Sequence, residues 1–70
     1  MTIKPGKYIH YKGNEYEVIE TALHSETLEE LVVYRALYGE RRLWVRPVTM
    51  WNELVEHEGR VVTRFTSVAK

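Results

Sequence analysis

The chain predicts an all-β domain: a small, strongly bent SH3-like barrel or half-barrel of about five strands, with one short helical turn near Pro47 to Leu54. Three observations lead there. Aromatic and β-branched types dominate the apolar residues, which favours strands over helices. The glycines at 13, 39 and 59 sit in polar surroundings where turns are needed. A flat sheet built from 70 residues cannot cover its own apolar face, whereas a curled one can.

The elements follow in order. Tyr8 to Tyr11 reads as a short strand ended by the turn chemistry of Lys12-Gly13-Asn14-Glu15, and Tyr16 to Leu23 as a second strand. Ser25 to Glu30 resembles a helix start, but the β-prone run Leu31-Val32-Val33-Tyr34 follows too soon, so a polar loop is expected. Leu31 to Arg46 reads as a hairpin turning within Gly39-Glu40-Arg41-Arg42. An even-numbered loop centred there sets Tyr38 opposite Leu43, Leu37 opposite Trp44 and Arg35 opposite Arg46. Tyr34 and Trp44 then fall on opposite faces. Pro47 ends that strand, since it lacks a donor, and its fixed φ suits the first turn of a helix. Val48 to Leu54 carries Met50, Trp51 and Leu54 at near-helical spacing, with Trp51 expected to be buried as a lid. Glu58-Gly59 marks a turn, and Arg64 to Val68 a closing strand.

Size and composition bound the function. One domain spanning 1–70 is expected, burying only roughly 60 % of its surface, with little room for a deep cleft. The chain has no cysteine, so neither disulfides nor a thiolate zinc site brace it. The start, Met1 to Gly6, lacks the apolar run of a signal peptide, and no segment approaches the roughly 20 apolar residues of a membrane span. A cytoplasmic protein with no membrane partner is the expectation. Ten basic and ten acidic residues cancel, so no global field draws in nucleic acid. Locally the picture differs: Arg35, Arg41, Arg42 and Arg46 lie between glutamate clusters at Glu15 to Glu30 and Glu53 to Glu58, which leaves room for a basic patch.

Five blocks in order, Tyr8-x-His10-Tyr11-Lys12-Gly13, His24-Ser25-Glu26-Thr27-Leu28-Glu29, Val32 to Gly39, Leu43-Trp44-Val45-Arg46-Pro47 and Arg64-Phe65, resemble a small bacterial family, domain of unknown function 1653. The resemblance covers nearly the whole chain. It implies a bacterial, cytoplasmic, single-domain protein, and it supplies no activity.

Few residues read as chemistry. His24-Ser25-Glu26 has the residue types of a catalytic triad, but neighbours in an extended chain point to opposite faces and cannot converge, so a capped turn is the better reading. His10, His24 and His57 show no ligand spacing that specifies a metal, although His10 and His24 would meet if their strands were neighbours. No cofactor and no enzyme activity are expected. The informative group is Arg35, Trp44 and Arg46, with Lys12, His10, Tyr11 and His24 as further candidates. Two arginines directly opposed repel unless an anion lies between them, and Trp44 would hold a guanidinium by stacking. Glu17 or Glu20 from the neighbouring strand is the internal answer, and a nucleic-acid phosphate or an acidic peptide the external one. The expectation is therefore a non-catalytic binding or adaptor module with an aromatic-arginine face. The alternatives are a structural homo-oligomer, in which exposed apolar surface forms the interface, or a small-ligand or metal site near His10 and His24.

Overall fold

The computed structural model describes residues 3–68. Five strands form one antiparallel sheet: β1 (Gly6–His10), β2 (Glu15–Leu23), β3 (Glu30–Ala36), β4 (Leu43–Pro47) and β7 (Phe65–Ser67), in the order β4-β3-β2-β1-β7. Between β4 and β7 lie one helical turn, α1 (Val48–Trp51), and a separate ribbon of β5 (Leu54–His57) and β6 (Arg60–Thr63). The all-β class and the helical turn after Pro47 match the sequence reading. The sheet does not close into a barrel, and the β5–β6 ribbon raises the strand count to seven. Its turn has the chemistry of a two-residue hairpin, because Glu58 and Gly59 both take positive φ, at 54° and 79°.

One face of the large sheet is lined by aromatic rings and valines. Tyr8 on β1, Val18 on β2, Val32 and Tyr34 on β3 and Phe65 on β7 are buried there with Ile3 and Trp51, and Tyr16 and Val48 pack against them. Strand alternation puts these residues on one side. A bulge at Ile19, where the β2–β3 register slips between Val18 and Glu20, bends β2 around them. α1 has a single purpose in packing. Val48 and Trp51, three residues apart, share the face that meets the sheet, and Trp51 is 2 % exposed. Its indole lies flat on Phe65 at 3.7 Å and 4°, with Tyr34 and Tyr8 edge-on at 4.9 and 5.5 Å. Trp51 follows one edge strand and Phe65 lies on the other, so side chains draw the two edges together where backbone pairing does not.

The β3–β4 hairpin corrects the expected register. Tyr34 pairs with Trp44, Val33 with Val45, Val32 with Arg46 and Arg35 with Leu43. The even-loop reading placed Arg35 opposite Arg46 and Leu37 opposite Trp44. The real turn is odd: Ala36 N–H donates to Arg42 C=O at 3.3 Å, enclosing five residues in which Gly39 and Arg41 take positive φ of 60° and 55°. A non-glycine residue in that region costs about 1–2 kcal/mol. Arg35 Nη1 offsets it by donating to Arg41 C=O at 2.7 Å. An odd shift inverts the whole of β4, so Trp44 and Arg46 turn toward the ring-lined face beside Tyr34 while Leu43 and Val45 face outward.

Replacing Trp51 by alanine should destabilise the fold by about 3–5 kcal/mol, as expected for a buried ring that leaves a cavity. Trp51→Phe should cost clearly less, since it keeps a ring on Phe65 and deletes an indole N–H that is buried without an acceptor. Denaturant unfolding of the two variants checks the order; equal losses would contradict it.

Candidate functional site

The inverted β4 builds a cavity of about 440 Å³ against the hairpin. Tyr16, Tyr34, Ala36 and Trp44 line it from three adjacent strands, Tyr38 and Gly39 to Arg42 from the loop, and Arg46 from the edge strand. Its rings are held rather than loose. Tyr16 meets Tyr34 and Tyr38 edge-to-face at 5.5 and 5.6 Å, and the Tyr16 and Tyr38 hydroxyls share a hydrogen bond of 2.7 Å. Burial, then the Tyr38 hydrogen bond, pushes the Tyr16 phenol up to about 12. The Tyr16 hydroxyl therefore stays neutral at ordinary pH. The Arg46 guanidinium lies 5.8 Å from the centre of the Phe65 ring, and its buried Nε has no hydrogen-bond partner. Three arginines against Glu40 leave the cavity wall positive, although the chain as a whole is neutral.

The other sequence-named residues go elsewhere. Arg35 sits on the outer face, anchored to the loop backbone, and neither it nor Arg46 is in an ion pair with Glu17 or Glu20. His10, Tyr11 and Lys12 gather at the β1–β2 turn. His10 Nδ1 accepts from Lys12 N–H at 3.1 Å, its ring packs on Tyr11 at 4.5 Å and against Phe65 at 5.0 Å, and Lys12 Nζ is 5.9 Å from the Tyr11 ring. Burial first, then the charges of Arg64, Arg46 and Lys12, holds the His10 imidazole below its ordinary 6.5. A second hollow of about 340 Å³ lies between this turn and the β5–β6 ribbon, where Tyr11 meets His57 edge-on at 5.1 Å. His24 is remote from it. It follows the far end of β2, a nine-residue strand roughly 30 Å long in extended form, and its Nδ1 accepts from Glu26 and Thr27 N–H. His10 and His24 do not converge. Among the described residues no group of three or more His, Asp or Glu is placed to hold a metal ion.

Sequence reasoning placed Arg41 and Arg42 in a basic patch but left them, with Tyr16, Tyr34 and Tyr38, out of the candidate site. The place of Tyr34 beside Trp44 depended on the odd turn, and nothing local announces left-handed backbone at Arg41.

Comparison with known proteins was then decisive for family. The model of a family described as a protein of unknown function (DUF1653) matches residues 6–67. The chain belongs to DUF1653. A crystal structure of a DUF1653 protein from Bordetella bronchiseptica is 37 % identical and superposes with a TM-score of 0.87, covering 94 % of this chain and 87 % of that one. No curated protein matches. Among the described residues no helix of this DUF1653 chain is long and apolar enough to cross a membrane.

Two titrations check the electrostatics. By NMR, His10 should titrate below 6.5; its neutral form is favoured by folding, so its contribution to stability is present above pH 6.5 and lost as the pH falls through the folded-state value. Tyr16 is the opposite case. Its contribution is present below pH 10 and lost as the pH rises through about 12, and Tyr38→Phe should move its phenolate absorbance transition part of the way back toward 10.

Proposed function

We propose that this DUF1653 chain is a non-catalytic binding module that takes an anionic, ring-bearing ligand into the hairpin cavity, single-stranded nucleic acid being the class that fits best. The reading is carried by one observation: Trp44 and Arg46 share a face with Tyr34, over a cavity whose other wall holds Arg41 and Arg42. Base faces stack on exposed aromatic rings whatever the sequence, at about 1–3 kcal/mol per base. Trp44 and Tyr38 are 55 % and 46 % exposed and supply such rings. Arginine forks take phosphate oxygens bidentately. A neutral chain with one locally positive, ring-lined hollow favours a short ligand segment over a long polyanion track.

Support for a non-catalytic role comes from the histidines. His24 commits Nδ1 to the backbone of its own turn, and His10 to Lys12 N–H. Neither is hydrogen-bonded to a serine or threonine hydroxyl among the described residues, which is not the arrangement that activates a nucleophile.

Titrating the protein into a short, end-labelled oligothymidylate, read by the fluorescence anisotropy of the label, tests the proposal. Binding should weaken with salt by about 0.7 in log K per log salt for each phosphate neutralised. Trp44→Ala and Arg46→Gln should each abolish measurable binding at moderate salt. Arg60→Gln, which removes an equal charge from exposed β6, should leave it unchanged. An oligonucleotide that fails to bind, or that binds Trp44→Ala as well as the parent, overturns the assignment; an acidic peptide binding in its place would name the other class.

A further inference from the structure

The hydrogen-bond phase of the sheet fixes which groups its free edge presents. Leu37 N–H donates to Glu15 C=O across the β2–β3 ladder, and Ala36 N–H to Arg42 C=O across β3–β4. Antiparallel ladders alternate, so odd residues of β3 bond to β2 and even ones to β4. Residues 42, 44 and 46 therefore turn their backbone toward β3, while Leu43, Val45 and Pro47 turn theirs to the open edge. Pro47, which has no N–H, stands on the side where no neighbour in this chain needs one. The edge is five residues long and unbulged, and Leu43 and Val45 are 51 % and 60 % exposed. Edges of that kind are templates for a further strand.

We infer that this edge pairs with the same edge of a second copy, antiparallel about a two-fold axis at Val45, joining two five-stranded sheets into one of ten. The register is set by what each alternative opposes. Centring on Val45 is the alignment that overlaps all five residues of β4. Val45 then exchanges both backbone hydrogen bonds with Val45 of the second copy, and each Leu43 N–H donates to the opposing Pro47 C=O. Proline's missing donor leaves only the Leu43 carbonyls unmatched, at the ends of the pairing. Trp44 falls opposite Arg46 of the second copy, in the closely spaced, non-hydrogen-bonded type of pair, where a guanidinium over an indole is favourable. That contact occurs twice, as a two-fold interface requires. Centring on Trp44 would set Arg46 against Arg42, and centring on Arg46 would set Arg46 against itself; like charges directly opposite disfavour both. On the outer face Val45 meets Val45, and Leu43 meets Pro47, which covers part of the apolar surface that the inverted register of β4 leaves in water. The pairing shares Trp44 and Arg46 with the ligand reading, but its test does not, because the Val45 side chain lies on the face away from the cavity.

Sedimentation equilibrium of the full chain from low to high micromolar concentration should show a species of twice the 8.3 kDa chain mass. Val45→Lys and Val45→Glu each set like charges across the axis, and each alone should sediment as a monomer with an unchanged circular dichroism spectrum. Mixing the two in equal amounts should restore the dimer, because lysine then faces glutamate. A parent chain that stays monomeric at high micromolar concentration would overturn the inference and leave the edge to an extended peptide of another protein. A Val45→Lys protein that still dimerises, or a mixture of two monomeric variants that does not, would overturn the Val45-centred axis.

Discussion

The flat stack of Trp51 on Phe65 is the contact on which the rest of this molecule depends. A sheet in the order β4-β3-β2-β1-β7 has its two ends far apart unless it curls, and here no backbone hydrogen bond joins β4 to β7. The curl is held by side chains. Trp51 arrives from β4 through a single helical turn, Phe65 comes up on β7, and their rings meet at 3.7 Å with Tyr8 and Tyr34 against the indole. The same junction is tied by Arg64, whose N–H donates to Glu53 C=O and whose guanidinium meets Glu53 Oε1 at 2.8 Å. A domain of this size buries little in total, so a few large rings supply most of its core. The buried, unpartnered indole N–H is a loss that this packing outweighs.

The cavity inherits its geometry from that junction. Arg46 is placed over Phe65, and Phe65 is placed by Trp51, so the position of the guanidinium follows from the aromatic stack rather than from any ion pair of its own. Burial and neighbouring charge act in the same direction at His10, which favours its neutral imidazole at the wall of the second hollow. Core and candidate site are not separate parts. Tyr16 and Tyr34 pack against or within the core on one side and line the cavity on the other.

Much of this was legible in the chain. The β-prone run Leu31 to Tyr34 marked a strand, Gly13 and Glu58-Gly59 marked turns that exist, and the near-helical spacing read in Val48 to Leu54 after Pro47 pointed to the helical turn and its buried Trp51. What was not legible has a physical reason in each case. The register of β3 on β4 depends on one residue more or less in a loop, and Arg41 adopts backbone more typical of glycine because Arg35 reaches across to hold it. Local propensity contains no such term. Period-two alternation cannot correct the error either, because Leu43-Trp44-Val45-Arg46 has a large apolar or amphipathic side chain at every position, and either phase looks acceptable. The pairing of β7 with β1, which sets Phe65 opposite His10, is a long-range contact that no local signal encodes.

Closing a sheet with side chains instead of hydrogen bonds has a further consequence for the edges. A closed barrel has no unpaired strand, whereas a curled sheet keeps two. β7 is three residues long and lies at the aromatic junction, so its outer edge offers little to a partner. β4 is longer, unbulged and flanked by exposed apolar side chains. The asymmetry follows from the register. Turning Trp44 and Arg46 inward completes the cavity, and the same turn of the strand puts Leu43 and Val45 outward along the open edge. A positive, ring-lined hollow and an open edge flanked by exposed apolar side chains are thus two sides of one strand, and a substitution that imposed the even-loop register would be expected to change both together.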